Sequence, residues 1–377
     1  MKRLLCITLA CALLCGVPCA AEETAGLTVS APSAVLMHPS GRVLYEKNAH
    51  EPLPPASVTK VMTLLLIMEA LDEGAIALDD MVTGSAHAAS MGGSQIWLKE
   101  GEQLTVDEMI KCIVVASAND CAVAMAEHIA GSEEAFVERM NTRAQELGME
   151  NTHFVNCCGL DADGHLTTAY DIALMSAELI KHEKIFDYTL IWQDTIRDGA
   201  FTLTNTNRLI RSYDGMTGLK TGSTSVAGFC LAGTARRDGL DLIAVVMKAD
   251  TSGARNADIT AMLNYGFANF ASVTPTPDQP LMPIPVELGT QAEVPVELGE
   301  VQPILIEKSR LGELEKSIAM EESLRAPVAA GQQVGSMTVL AGGEVLQQVP
   351  IIAVQEVPFL GVWGIFRQML QAICMRG

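Results

Sequence analysis

Pro54-Pro55-Ala56-Ser57-Val58-Thr59-Lys60-Val61-Met62-Thr63-Leu64-Leu65-Leu66-Ile67-Met68 decides the fold of this chain. After a proline-rich approach, Ser57 opens a helix expected over Val58 to Leu71 and closed by Gly74. Residues Val61 to Met68 are apolar almost all round. A helix without a polar face belongs at the centre of a domain, not on its surface. It nevertheless carries Lys60 three residues after Ser57, a spacing that puts amine and hydroxyl on one face. A serine hydroxyl is a weak nucleophile at neutral pH and needs a neighbour to take its proton. Burial disfavours the ammonium form of a lysine, and a second cation nearby pushes the same way. Lys60 is therefore expected to be the base for Ser57, with Lys220 as the second cation. Alone, the tetrapeptide fits better with Ser57 as a helix cap and Lys60 as a solvated first-turn residue; the apolar run behind it and the two further motifs below reverse that reading.

The surroundings supply strands and then helices. Ala34 to Met37 and Arg42 to Glu46 flank His38-Pro39-Ser40-Gly41, a hairpin signal. Thr105-Val106-Asp107-Glu108 is a capping box, opening a helix through Met109 to Val115 that ends at Ser117-Ala118-Asn119. Asp120 is placed to cap the next helix, Cys121 to Ile129, stopped by Gly131. Ser132 caps another that reaches Leu147-Gly148. The pattern turns β near Leu219, and Gly228 to Ala235 and Leu240 to Lys248 join through an Asp238-Gly239 turn. Strands, helices and strands again predict an α+β class fold, one antiparallel sheet with helices packed on it.

Composition shifts at Thr274-Pro275-Thr276-Pro277. From there to Glu356 the runs are short and β-like, apart from a short helical stretch near Leu311 to Met320. Val334 to Leu340 and Val345 to Val354 flank Gly342-Gly343. Pro285-Val286-Glu287-Leu288-Gly289 recurs as Pro295-Val296-Glu297-Leu298-Gly299, either as equivalent strands or as a local duplication. The tail from Pro358 sets Phe359, Trp363, Phe366 and Leu370 against Arg367, Gln368 and Gln371. It reads as a helix lying in a membrane interface, with docking on the domain as the alternative. At the other end, Lys2-Arg3, a short apolar run and Cys19-Ala20-Ala21 read as a secretory leader. The organisation is thus a leader at 1–21, an α/β unit at 22–273, a β-rich domain at 274–356 and an amphipathic helix at 357–377.

The formal charge of −20 argues against nucleic acid as a partner. Four of the ten cysteines lie in the leader. Cys112, Cys121, Cys157, Cys158, Cys230 and Cys374 have no zinc-site or redox-motif spacing and read mainly as buried thiols. A vicinal disulfide at Cys157-Cys158 is the alternative there, and Cys121 is placed close enough to the cleft for a thiol reagent to inhibit.

Two further peptides carry chemistry. Ser117 and Asn119 sit in a turn, where a hydroxyl can relay protons and an amide can hold a carbonyl or orient a lysine; both types also favour turns for structural reasons. Lys220-Thr221-Gly222 precedes the last hairpin. A strand edge there pairs with an extended peptide, Gly222 lets a substrate backbone approach, and Thr221 binds a carboxylate. The backbone N–H groups of Ser57 and Ser223 are candidates for an oxyanion hole.

Ser57-x-x-Lys60, Ser117-x-Asn119 and Lys220-Thr221-Gly222, in this order, match the set found in penicillin-binding proteins and serine β-lactamases. Met91-Gly92-Gly93-Ser94-Gln95, Asn151-Thr152-His153-Phe154, Asp163-Gly164-His165 and Asn205-Thr206-Asn207 narrow the likeness. Residues 27–356 resemble a low-molecular-mass penicillin-binding protein of the D-alanyl-D-alanine carboxypeptidase family. The resemblance implies a β-lactamase/transpeptidase-like domain, a C-terminal β-sandwich and a membrane-anchoring helix. It implies cleavage of the terminal D-alanine from peptidoglycan stem pentapeptides through an acyl-enzyme, covalent reaction with β-lactam antibiotics, no metal and no cofactor. Ser57 becomes the nucleophile, Lys60 its base, and Ser117 and Asn119 the proton relay and substrate contact. Lys220 and Thr221 frame the substrate carboxylate, and Arg255 stands where the family has a carboxylate-pairing arginine. One departure stands out: Asn156-Cys157-Cys158-Gly159-Leu160 replaces the family's Asn-Pro-x-Gly-Leu. His153 and His165 read as structural hydrogen-bonders. A class A-like β-lactamase is the enzymatic rival, but Glu138 to Asn141 has the wrong spacing for its water-activating segment. A non-catalytic cell-wall-binding protein is the other.

Overall fold

The expected first hairpin forms from β1 (Ser33–Met37) and β2 (Val43–Lys47). The structure is a computed structural model that describes residues 27–374, so the leader expected at 1–21 lies outside the described residues. Ser57 lies on a 3-10 turn, Ala56–Thr59, and regular helix α1 runs Lys60–Asp72. No side-chain cap bond forms at its start, so Ser57 is not a helix cap. Every residue of α1 from Lys60 to Leu65 is buried, as an all-round apolar helix requires.

The capping box at Thr105 and Glu108 closes as read, but α2 is shorter than expected, Val106–Lys111. Cys112–Ala116 is wound as a π-turn, and Ser117 ends it with φ +62°. α3 (Asn119–Ala130) follows, then α4 (Glu133–Glu146), capped by Ser132. Asp120 does not cap α3. It is buried within the first turn and accepts the backbone N–H groups of Ile96 and Leu98 at 3.0 and 2.9 Å. Those donors have no ladder partner, and the carboxylate satisfies them.

Helix α5 (Ala169–Leu179) packs against α1. A small hairpin, β3 (Gln193–Ile196) and β4 (Phe201–Thr204), precedes β5 (Met216–Thr224), β6 (Gly228–Arg237) and β7 (Leu240–Ala249). The main sheet is antiparallel in the order β2-β1-β7-β6-β5. Strand β5 is therefore an edge, with Lys220 opposite Ala232 and Gly222 opposite Cys230. One sheet face packs on the α1 cluster through Val35, Met37, Ile243, Val245 and Met247. The other is covered by α6 (Ser252–Asn269) through Ile259, Met262 and Leu263.

Beyond α6, β8 (Phe270–Val273) pairs with a later strand, Ile304–Glu307, across the compositional shift at Thr274. The C-terminal part is β-rich, as expected. Leu311 to Met320 is not helical: Lys308–Glu313 forms a 3-10 segment and Leu314–Met320 a strand paired with Gln333–Ala341. Its Leu, Glu and Lys residues favour helix locally, but the ladder overrides that preference. The two Pro-Val-Glu-Leu-Gly copies are not equivalent, since Ile284–Glu287 and Val296–Leu298 belong to different sheets. The tail is helical over Val362–Cys374, and Val362, Trp363, Phe366 and Leu370 are exposed rather than docked on the domain. Among the described residues no helix is long and apolar enough to cross a membrane.

Candidate functional site

Lys60 Nζ is fully buried and reaches three oxygens: Ser57 Oγ at 3.1 Å, Asn119 Oδ1 at 2.6 Å and the carbonyl of Cys158 at 2.6 Å. Asn119 donates its Nδ2 to the carbonyl of Gly92 at 2.7 Å, which turns its Oδ1 toward Lys60. Two of the three oxygens accept only, so a neutral Lys60 donates to both and leaves its lone pair for the Ser57 hydroxyl. Burial pushes the Lys60 amine below the usual lysine range, against the opposing pull of Cys158, Cys157, Asp120 and Cys121. Lys220 is also buried and falls well below that range, through burial first and then repulsion from Lys60 and Arg255. Neither lysine has a carboxylate partner among the described residues.

The carbonyl of Cys158 is held by its loop. Asn156 Oδ1 accepts the N–H groups of Gly159 at 2.7 Å, Leu160 at 3.1 Å and Cys158 at 3.3 Å. The carbonyl of Cys157 accepts from Thr63 Oγ1 at 2.5 Å, and its N–H donates to Glu133 at 3.0 Å. Gly159 has φ +86°, and a Cβ there would sit 1.9 Å from the carbonyl oxygen of Ala56. The loop thus packs directly on the turn that bears Ser57. Both thiols are buried and unbridged, so the vicinal disulfide does not form, and burial pushes both above the usual thiol range. Cys121 is fully buried and likewise raised, so it does not open on the cleft as expected.

His165 fastens the same turn from behind. Its Nδ1 accepts from the N–H of Val155 at 3.0 Å, so its Nε2 carries the proton toward Thr59 Oγ1 at 2.8 Å. Thr59 in turn donates to the carbonyl of Ala56 at 2.9 Å. Burial lowers His165 to about 4. Gly222 packs on the same turn from the strand side. A Cβ on it would meet Pro55 O, Ser57 N and Val58 N, each at 2.9 Å. Its lack of a side chain serves the packing of β5 against the turn that bears Ser57, in addition to the approach of a substrate backbone that the sequence suggested.

A cleft of about 660 Å³ opens in front of this assembly. Ser57, Ser117, Thr221, Gly222, Ser223 and Arg255 all line it, while Lys60, Asn119 and Lys220 stand behind in the wall. Ser117 Oγ is buried and has no hydrogen-bond partner, an arrangement that suits a group waiting for a ligand. Thr221 donates to Thr206 Oγ1 at 2.7 Å. Arg255, in the first turn of α6, is buried and bonds Asn256 Oδ1 rather than a carboxylate. The cleft also contains Trp192 and Arg208, which sequence reasoning missed. The only signal for Arg208 is its place directly after Asn205-Thr206-Asn207.

The model of the D-alanyl-D-alanine carboxypeptidase family matches residues 19–251. The chain belongs to that family. The D-alanyl-D-alanine carboxypeptidases are serine-type peptidases, and this member also matches the penicillin-binding protein 5 C-terminal domain over residues 273–358. The D-alanyl-D-alanine carboxypeptidase DacF of Bacillus subtilis (strain 168) is 44% identical over 346 residues, covering 90% of this chain and 89% of that protein. Penicillin binding protein 5 from Haemophilus influenzae superposes with a TM-score of 0.71 at 29% identity, over 88% of this chain and 98% of that one. Penicillin-binding protein D2 from Listeria monocytogenes, in its ampicillin-bound form, superposes with a TM-score of 0.59 at 33% identity, over 64% of this chain and 99% of that one.

Proposed function

We propose that this carboxypeptidase removes the terminal D-alanine of peptidoglycan stem pentapeptides with Ser57 as nucleophile and Lys60 as base. The observation that carries the reading is the Lys60 amine, 3.1 Å from Ser57 Oγ and fenced by two oxygens that only accept. Lys60 takes the hydroxyl proton as Ser57 Oγ attacks the penultimate carbonyl carbon. The N–H groups of Ser57 and Ser223 receive the oxyanion. The C–N bond breaks, and Ser117 Oγ passes the proton from Lys60 to the leaving amine. Water then attacks the ester with Lys60 again as base. Thr221, Lys220 and Arg255 hold the terminal carboxylate, and an anion there opposes the depression that burial imposes on the Lys220 amine. A β-lactam carries the same carboxylate and acyl carbon, and its ring-opened ester persists on Ser57. The residues lining the cleft include no aspartate or glutamate to activate water as in a class A β-lactamase.

The test uses the purified protein with a fluorescent penicillin and with a D-Ala-D-Ala peptide, each repeated with Ser57→Ala. A persistent adduct and released D-alanine, both lost in the variant, support the reading. Rapid penicillin turnover favours a β-lactamase, and no adduct favours a wall-binding protein.

The reading extends to location: export through the leader at 1–21, catalysis by residues 22–273, and display at the outer face of the cytoplasmic membrane by the helix at 357–377. The exposed Trp363 and Phe366, 6.4 Å apart, support a helix lying in the interface. Truncation after Glu356 is expected to free the protein from membranes without loss of peptide cleavage.

A further inference from the structure

Two guanidinium groups reach the cleft, and the reaction proposed above uses only Arg255. Arg143, Arg197, Arg236 and Arg310 are each paired with a carboxylate. Arg208 is not: it is exposed, lines the cleft, and its side chain makes no hydrogen bond or ion pair among the described residues. Its backbone is nevertheless firmly placed. Thr206 accepts from Thr221 at 2.7 Å, Asn207 Nδ2 donates to the carbonyl of Gly218 at 3.3 Å, and Asn207 Oδ1 accepts the N–H of Leu209 at 3.2 Å. Arg208 is therefore held beside β5 by the two residues before it, two residues and roughly 7 Å of chain from the contact with Thr221. Its charge reaches Arg255, which is lowered by burial first and also by repulsion from Arg208.

The protein as a whole repels an anionic substrate, since its formal charge is −20. A cleft with two unpaired cations reverses that field locally and focuses it at the mouth. We propose that Arg208 is a specificity-determining residue that captures substrates ending in a free carboxylate and guides that anion toward Arg255. The inference rests on the carboxypeptidase reading above. It assigns Arg208 to the capture step, not to bond breaking.

The test compares acylation by a penicillin with acylation by its carboxylate methyl ester, at low salt and at about 1 M salt, where the Debye length is about 3 Å. D-Ala-D-Ala peptide cleavage is followed in parallel. Arg208→Gln is expected to slow acylation by the free acid roughly tenfold at low salt, through KM with kcat retained. The deficit shrinks to under about twofold at high salt, the ester reacts as with the native protein, and Arg208→Lys restores most of the rate. Equal losses for acid and ester, a loss indifferent to salt, or no loss at all would each overturn the inference while leaving the reaction standing. Failure of the native protein to react with either compound would defeat the reaction and this inference together.

Discussion

Replacing Asn119 by Asp tests the assignment of Lys60 as base more sharply than deleting the lysine. The change is nearly isosteric, yet it puts a carboxylate where an amide oxygen now sits 2.6 Å from Lys60 Nζ. At that separation and an effective dielectric of about 20, the attraction for the ammonium form is roughly 6 kcal/mol. Burial of the new charge and loss of the bond to Gly92 oppose it. If only a third survives, about 2 kcal/mol, the pH at which Lys60 gives up its proton rises by more than about one unit. The assay is the second-order rate of penicillin acylation across the neutral and alkaline range. Its acid limb, where Lys60 regains a proton, is expected to move toward alkaline pH. The rate near pH 7 falls at least tenfold and recovers at high pH. Asn119→Ala supplies the control, since it removes the same amide without adding a charge. A limb that stays in place in Asn119→Asp while the rate drops uniformly would refute the reasoning. Asn119 would then act on substrate alone, and another group would take the proton.

Gly222→Ala is expected to cost about 1–3 kcal/mol and to slow acylation more than tenfold, because the Cβ meets three backbone atoms that have no room to give. An unchanged melting temperature with acylation lost would instead favour substrate contact. Cys158→Ser is expected to keep acylation within about threefold, since the carbonyl and not the thiol meets Lys60; for the same reason iodoacetamide should leave the native enzyme active. His165 gives a pH dependence of stability. Its pKa is depressed to about 4 from 6.5, so between those values the unfolded chain binds a proton that the folded one lacks. Stability therefore falls as pH drops through that window, by up to about 3 kcal/mol. Urea denaturation at several pH values checks this, and His165→Gln should flatten the dependence.

The elements that sequence reveals here are those whose causes are local. The capping box at Thr105, the Asp238-Gly239 turn and the all-round apolar run of α1 each depend on residues within a few positions of one another. The features that needed the assembled fold share the opposite property. Leu314 to Met320 takes its conformation from pairing with Gln333–Ala341. Asp120 takes its role from N–H groups more than twenty residues upstream. Gly222 is glycine because of Pro55, Ser57 and Val58, which lie on another element altogether. Arg208 becomes notable only when the cleft is assembled around it and no carboxylate arrives to neutralise it.

The loop from Asn156 to Leu160 shows why the candidate site was still legible. Two cysteines stand where the family pattern has a proline-shaped turn, and the sequence left the consequence open. The turn here is shaped by other groups: three N–H groups on Asn156 Oδ1 and a left-handed Gly159 with no space for a side chain. What the site requires from positions 157 and 158 is a pair of carbonyl oxygens, one for Thr63 and one for Lys60. Any side chains that tolerate full burial satisfy that demand, and unionised thiols do so as small apolar groups. The chemistry at Lys60 is thus decoupled from the identity of the residues that supply its acceptor. A departure that looked disruptive when read as side chains leaves both acceptors in place, for Lys60 and for Thr63, when read as backbone.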